Sequence, residues 1–142
     1  MPMFATYLFV DDIKAPRERR AVRCPSAESV ESAIRRLDGK FVRNVIVAEK
    51  APSPGDDYPF GGRAVSIGGC ENRYVIELCD DRGNVQYWLR EGASLGQGTS
   101  TIMRGQLVDF DDAVIVPFED VLRVVTAFYD NGSILEPQRW IE

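Results

Sequence analysis

Histidine is absent from this chain of 142 residues, and cysteine is scarce. Without histidine the chain lacks the commonest general base and metal ligand, and a serine, cysteine or threonine nucleophile has no imidazole to activate it. Cys24, Cys70 and Cys79 are odd in number and widely spaced, which excludes a disulfide framework and a CxxC motif. We therefore predict a protein that is not an enzyme and that holds no metal and no cofactor.

Long hydrophobic runs are also missing. No stretch approaches the roughly 18 consecutive apolar residues that a membrane-spanning helix requires. The amino-terminal segment has no positive region before its short apolar run, which meets Asp11 and Asp12, so it is typical of a strand and not of a signal peptide. With its unpaired cysteines, the chain is predicted to be a cytoplasmic protein that does not contact membranes.

Basic residues are outnumbered by acidic ones, 17 to 22, which gives a net charge of -5. This balance argues against nucleic acid or an anionic membrane as the main partner, because both recruit lysine and arginine. The charges are unevenly shared: residues 1–43 carry nine basic and six acidic residues, whereas residues 44–142 carry eight and sixteen. We predict an acidic surface in the second part of the chain and a basic partner.

The apolar spacing is that of one α+β domain over residues 1–142, a mainly antiparallel sheet with two principal helices packed on it. Ser26 is the predicted N-cap of the first helix, which ends at Asp38 and Gly39. The second helix is predicted to start at Pro117 and to end at Asn131 and Gly132.

Residues 4–10 and 42–48 are predicted strands because of their aromatic and β-branched residues, and residues 113–116 are a predicted short strand. From Ala64 onward the apolar residues follow a period of two, first at Val65 and Ile67 and then over 74–79 and 85–90. The turn chemistry of residues 80–84 joins the last two segments into a hairpin. Residues 51–63 and 91–101 are rich in glycine, proline or small polar residues and are predicted to be loops.

Three carboxylate pairs, Asp56-Asp57, Asp80-Asp81 and Asp111-Asp112, are the remaining candidates for acid–base chemistry. All three lie in predicted loops or turns, where a solvated pair is the ordinary interpretation. An enzyme that uses such a pair stays as a third alternative, behind a binding protein and a ligand-binding module.

The predicted binding surface consists of loops and turns, because loops on a rigid sheet usually carry binding residues. Tyr58 and Phe60 are its predicted apolar anchors. Trp88 lies on the sheet face opposite to its strand neighbours, and a helix or a partner covers it. The predicted partner-binding residues are Asp56, Asp57, Tyr58, Phe60, Glu71, Asn72, Asp80, Asp81, Trp88 and Glu91.

The segment that begins at Val116 reads Val-Pro-Phe-Glu-Asp-Val-Leu, then Ala-Phe-Tyr-Asp-Asn-Gly-Ser and finally Glu-Pro-Gln-Arg-Trp. It resembles the closing signature of the Imm1 family of bacterial immunity proteins. In that family a short strand ends in a Val/Ile-Pro step, a helix ends in a Phe-containing turn with Gly, and a Pro precedes a Trp by a few residues. The corresponding residues here are Pro117, Phe128, Gly132, Pro137 and Trp140. We expect Trp140 to pack on the core beside Phe128, because a terminal segment frays unless it is tied down.

The resemblance implies an immunity protein of a polymorphic toxin system that acts in interbacterial competition. Such proteins bind a cognate toxin domain, often a nucleic-acid deaminase, and occlude its active site. A toxin that acts on nucleic acid needs a basic groove, which an acidic protein complements electrostatically. The alternative is a small-ligand-binding or regulatory α+β module that uses the glycine-rich loops as a lid.

Overall fold

The computed structural model describes residues 4–16, 19–55, 60–80, 82–88, 98–103 and 106–141, with backbone detail only at 98–103, 106–112 and 138. Within these ranges the chain forms nine strands and two α-helices. The strands are β1 (Tyr7–Asp12), β2 (Ala21–Arg23), β3 (Val42–Lys50), β4 (Gly61–Cys70), β5 (Arg73–Cys79), β6 (Val85–Trp88), β7 (Gly98–Met103), β8 (Gln106–Asp111) and β9 (Trp140–Ile141). The helices are α1 (Ala27–Arg35) and α2 (Phe118–Asn131).

Seven strands form one antiparallel sheet in the order β2-β1-β3-β4-β5-β6-β9. The strands β3 to β6 follow one another as a meander, so successive turns alternate between the two ends of the sheet. The short strands β2 and β9 form the two edges. β7 and β8 pair with each other as a separate ribbon, and β7 approaches β4. The predicted α+β class with a mainly antiparallel sheet is confirmed.

Helix α1 begins as predicted after Ser26, whose hydroxyl accepts a hydrogen bond from the backbone N–H of Ser29 at 3.0 Å. It buries Val30, Ala33 and Ile34 against the sheet. The helix ends at Arg35, earlier than predicted. The chain then turns into β3 around Asp38, whose carboxylate accepts backbone N–H bonds from the three residues Lys40, Phe41 and Val42.

Helix α2 also matches its predicted position, with one correction. Pro117 is the N-cap and has extended backbone angles, so Phe118 is the first helical residue. Gly132 ends the helix in the left-handed conformation, with φ of 74°, a conformation that glycine adopts without the steric cost of a Cβ. Neither helix in the described part of the chain has the length and apolar character needed to cross a bilayer.

The main core lies between these helices and one face of the sheet. Phe128 of α2 is fully buried, and the Phe4 ring packs against it edge to face at 5.2 Å. The Tyr129 hydroxyl donates a hydrogen bond to the Pro25 carbonyl and so joins α2 to the start of α1. A second, smaller apolar cluster includes Tyr7, Ile46, Ala48, Phe60 and Ala64.

The strand predictions differ from the structure at five places. β1 continues through Asp11 and Asp12 instead of ending before them, and Gly61 already begins β4 instead of belonging to the preceding loop. The predicted strand at 113–116 is a 3₁₀ turn at Asp112–Val114, followed by a single bridge between Val116 and Tyr74. Strand β7 occupies part of the predicted loop 91–101, and the edge strand β2 has no counterpart among the predictions.

Candidate functional site

The predicted contact residues do not form one patch. Glu71 and Asn72 make the turn between β4 and β5, and Asp80 follows the other end of β5. A strand of seven residues spans about 20 Å. Two of the predicted sites therefore lie at opposite ends of the sheet and cannot contact the same small feature of a partner.

Five of the predicted contact residues lie outside the described residues: Asp56, Asp57, Tyr58, Asp81 and Glu91. Strands β3 and β4 flank the first three of them. Lys50, the last residue of β3, pairs with Gly61, and Ala64 pairs with Cys79 just before Asp80. The chain therefore leaves β3 and enters β4 at the same end of the sheet as the Asp80 turn.

The Asp80 carboxylate organises the turn between β5 and β6. It accepts hydrogen bonds from the backbone N–H of Arg82 at 2.9 Å, from the backbone N–H of Asn84 at 3.0 Å and from the Asn84 side-chain amide at 2.8 Å. The bonds from the Asn84 side chain and backbone, together with that from Arg82, lower the pKa of Asp80 below its usual value. The turn thus presents a fixed negative charge at neutral pH.

A groove of about 540 Å³ lies beside this turn. Its lining is mixed, since apolar atoms of Leu78 and Val85 accompany the polar groups of Arg63 and Asp80. The Arg63 guanidinium lies over the Phe4 ring at 5.0 Å and donates a hydrogen bond to the Gly132 carbonyl at 3.3 Å. The described part of the groove lining therefore has one anionic group and one cationic group, each held by contacts within the fold.

Arg63 lines this groove, although the sequence patterns do not indicate it as a site residue. Gly62 precedes it with φ of 70°, and the Glu49 carboxylate accepts a hydrogen bond from the Arg63 backbone N–H at 3.2 Å. A Cβ at Gly62 would lie 2.3 Å from that carboxylate, which would have to move, and the positive φ also favours glycine there. The one sequence signal that points to this arrangement is the glycine pair directly before the arginine.

At the opposite end of the sheet, Asn72 has a structural function, and its role as a contact residue stays a prediction. Its side-chain oxygen accepts a hydrogen bond from the backbone N–H of Phe118. Glu71 and Asn72 both adopt left-handed angles, with φ of 53° and 63°, as in a tight hairpin turn. The Glu71 side chain is 81% exposed, with a carboxylate oxygen 4.0 Å from an Arg73 guanidinium nitrogen. Both residues are exposed, but the Asn72 side-chain oxygen is already engaged by α2.

Two predicted contact residues are buried in the fold. Phe60 is 5% exposed and packs in the second apolar cluster, so its prediction as an exposed anchor is wrong. Trp88 has no exposed surface, because the Trp140 ring packs against it at a centroid distance of 5.1 Å and the Arg139 guanidinium lies 4.2 Å from its ring centroid. The covering groups belong to the same chain, which corrects the assignment of Trp88 to a partner surface.

Trp140 is 6% exposed and belongs to the main core, which confirms its predicted burial. Its indole N–H donates a hydrogen bond to the Ile134 carbonyl at 2.9 Å. The aromatic contact differs from the prediction, since Trp140 packs against Trp88 and the Phe128 ring packs against Phe4.

Searches against protein-family models, curated proteins and solved structures found no significant match to this chain. Among the described residues, no three or more histidine, cysteine, aspartate or glutamate side chains are grouped so that they could hold a metal ion.

The residues that carry the Imm1 resemblance all have structural roles. Pro117 and Gly132 cap the two ends of α2, and Phe128 lies in the core between them. Pro137 begins a 3₁₀ turn, and Trp140 follows it as the first residue of the edge strand β9. The resemblance therefore concerns the framework of the fold, and the binding surface has to be argued from other residues.

Proposed function

We propose that the protein is an immunity protein that binds a cognate antibacterial toxin domain and neutralises it by occluding the toxin's active site. The Imm1-like closing segment and the excess of acidic residues in the second part of the chain support this function. The partner is a basic domain that acts on nucleic acid, with a deaminase as the favoured chemistry. The protein binds this domain and not the nucleic acid itself, and it acts in the cytoplasm.

The structural observation that carries the proposal is the Asp80 turn. Three hydrogen bonds fix its carboxylate, so little conformational entropy is lost when a partner binds it. Asp81 adds a second acidic residue next to it in the sequence. An exposed negative turn at the end of a rigid sheet complements a basic groove and accelerates association with it.

Co-expression of the chain with the toxin domain encoded beside it tests the function. The unmodified protein is expected to restore growth and to bind the purified toxin domain. If it does neither, the proposed function is wrong.

A matched pair of charge reversals tests the surface. Asp81→Lys changes the charge next to the Asp80 turn, whereas Glu71→Lys makes the same change at the other end of the sheet. At low salt, Asp81→Lys should slow association about tenfold or more, and Glu71→Lys should not. Equal effects of the two variants would place the interface elsewhere while leaving the function intact.

The groove beside Asp80 favours a second candidate, a small-ligand-binding module. Its volume of about 540 Å³ lies within the range of about 300–1,000 Å³ that is typical of small-molecule sites. A thermal-shift screen of metabolites without toxin tests this candidate. A ligand that raises the melting temperature of the parent and not of Arg63→Gln would support it.

A further inference from the structure

A second pocket, of about 270 Å³, opens between α1 and the β1–β2 edge of the sheet. Its floor is apolar and consists of Leu8, Val10 and Val22 from the strands and Ala33 from the helix. Val22 is 39% exposed, whereas the other three residues are buried, so solvent reaches the floor at Val22.

The rim of this pocket is polar and mostly cationic. Its described residues supply two hydroxyl groups, three guanidinium groups and one carboxylate, from Ser29, Ser32, Arg19, Arg20, Arg36 and Asp12. The carboxylate is already engaged, because Asp12 contacts the Arg36 guanidinium at 2.5 Å and accepts the Lys14 backbone N–H at 3.0 Å.

The neighbouring carboxylate is engaged as well. Asp11 lies 3.9 Å from the Arg20 guanidinium and 3.1 Å from that of Arg43. Arg43 does not line the pocket, so the three arginines of the rim face two aspartates among the described residues and have one positive charge in excess. Arg19 is exposed and forms no ion pair with any described residue.

This concentration of positive charge is unusual for a protein whose net charge is -5. Guanidinium groups that converge on one opening repel each other, and a bound anion relieves that repulsion. A phosphate monoester carries about -1.5 to -2 charges at pH 7, opposite in sign to this excess. Arginine binds phosphate oxygens in paired hydrogen bonds, and hydroxyl groups donate further ones.

We propose that this pocket binds a small phosphate monoester with a short apolar part. The phosphate contacts the arginines and serines of the rim, and the apolar part lies on the Leu8, Val10, Val22 and Ala33 floor. The ligand is small, because the pocket is slightly below the roughly 300 Å³ lower limit of drug-sized sites. This site goes beyond the proposed toxin binding, since it lies at the β2 edge and the Asp80 turn follows β5, on the other side of β1, β3 and β4.

The site is tested by titrating the purified protein with butyl phosphate and, separately, with inorganic phosphate. Calorimetry measures the affinity, and amide NMR shifts locate the bound ligand. Butyl phosphate should bind more tightly than inorganic phosphate, because only it covers the apolar floor. The largest shifts are expected at Val22, Ser29, Ser32 and Ala33. Equal affinities, or shifts centred elsewhere, would overturn the proposal.

Two variants sharpen the test. Arg19→Gln should weaken butyl phosphate binding about tenfold, the effect of losing one charge-assisted hydrogen bond. Arg35→Gln is its matched control: it removes the same charge from an α1 residue that pairs with Glu31 at 3.4 Å and does not line the pocket. If both variants bind like the parent, or both lose affinity equally, the assignment is wrong.

A third variant adds a charge instead of removing one. Ser32→Glu places a carboxylate at an exposed helical position on the rim, where it should abolish phosphate binding by repulsion. Arg19→Gln and Ser32→Glu should neutralise the toxin as well as the parent does. Phosphate binding therefore tests this pocket, and toxin neutralisation separately tests the proposed function. Unchanged phosphate binding by Ser32→Glu would overturn the site.

Discussion

The Asn72 side-chain oxygen accepts a hydrogen bond from the Phe118 backbone N–H at 2.8 Å, and this bond joins the β4–β5 turn to the start of α2. The N-cap of α2 is Pro117, which has no side-chain acceptor. An N-cap serine, threonine or aspartate normally accepts a hydrogen bond from the N–H of the second or third helical residue. Here a residue 46 positions earlier in the chain supplies an acceptor, and it binds the N–H of the first helical residue.

Substitution at Asn72 should therefore destabilise the protein without any contribution from a partner. Asn72→Ala is expected to lower the free energy of unfolding by about 0.5–2 kcal/mol, the usual value of a helix N-cap. The backbone φ of 63° at this position adds to the loss, because alanine tolerates left-handed angles less well than asparagine. Asn72→Asp keeps the acceptor and should retain most of the stability. Urea unfolding at neutral pH measures both, and an alanine variant as stable as the parent would contradict the capping role.

Alanine substitutions at Gly132 and Gly55 separate the cost of backbone strain from the cost of steric overlap. Both glycines have positive φ, of 74° and 82°, but a Cβ at Gly132 would lie 2.9 Å from the Phe4 ring, whereas nothing lies within 4 Å at Gly55. Each alanine substitution carries the backbone cost of about 1–2 kcal/mol. Gly132→Ala should cost about 1–3 kcal/mol more because of overpacking, as denaturant midpoints will show. Equal costs at the two sites would mean that the Phe4 ring moves aside freely.

Loss of the Trp140 indole should affect folding before it affects binding. Trp140→Ala removes a buried ring and the bond to Ile134, and should cost about 3–5 kcal/mol, as core truncations of this size do. Circular dichroism melting of the isolated protein measures it. A variant that melts like the parent and yet fails to bind the toxin would make Trp140 an interface residue.

Asp38 should give the protein an acid-sensitive contribution to stability. Partial burial raises the pKa of Asp38, but backbone N–H bonds from Lys40, Phe41 and Val42 outweigh this effect and hold the pKa below its usual value of 3.8. The stabilisation is therefore fully present above that unfolded-state value and is lost as the pH falls through the lower folded-state pKa.

Asp38→Asn is the variant that tests this contribution. It should be less stable than the parent at about pH 6, and the difference should shrink at about pH 3 as the parent carboxylate becomes protonated. Urea midpoints at the two pH values give the comparison. A difference that stays constant with pH would show that the hydrogen bonds do not distinguish the charged from the neutral carboxyl group.

The helices could be predicted from the sequence because their signals are local. Ser26, Pro117 and Gly132 mark helix ends through their own side chains or backbone preferences, and the apolar spacing between them determines the buried face. The short strands β2 and β9 were beyond prediction for the opposite reason. Each has three residues or fewer and exists only because a longer strand pairs with it.

The binding surface was harder to predict, since exposure depends on distant parts of the chain. Trp88 has the residue type of a hot spot, but the C-terminal Arg139 and Trp140 cover it. Asn72 has the appearance of a loop residue, but its polar atom is used by α2. Glu71 lies in the turn between β4 and β5, and Asp80 begins the next turn, between β5 and β6, at the other end of the sheet. The sequence patterns indicate only the second of these turns, so they do not show that the two residues are far apart.

The contact between Trp88 and Trp140 also determines what an optical experiment can detect. These are the two tryptophans of the chain, one on β6 and the other on the edge strand β9 that pairs with it. Intrinsic tryptophan fluorescence therefore reports on the pairing of β6 with β9, where the Arg139 guanidinium also lies over the Trp88 ring. If β9 detaches before the rest of the fold opens, emission will change while far-ultraviolet ellipticity remains, and the two unfolding curves will separate.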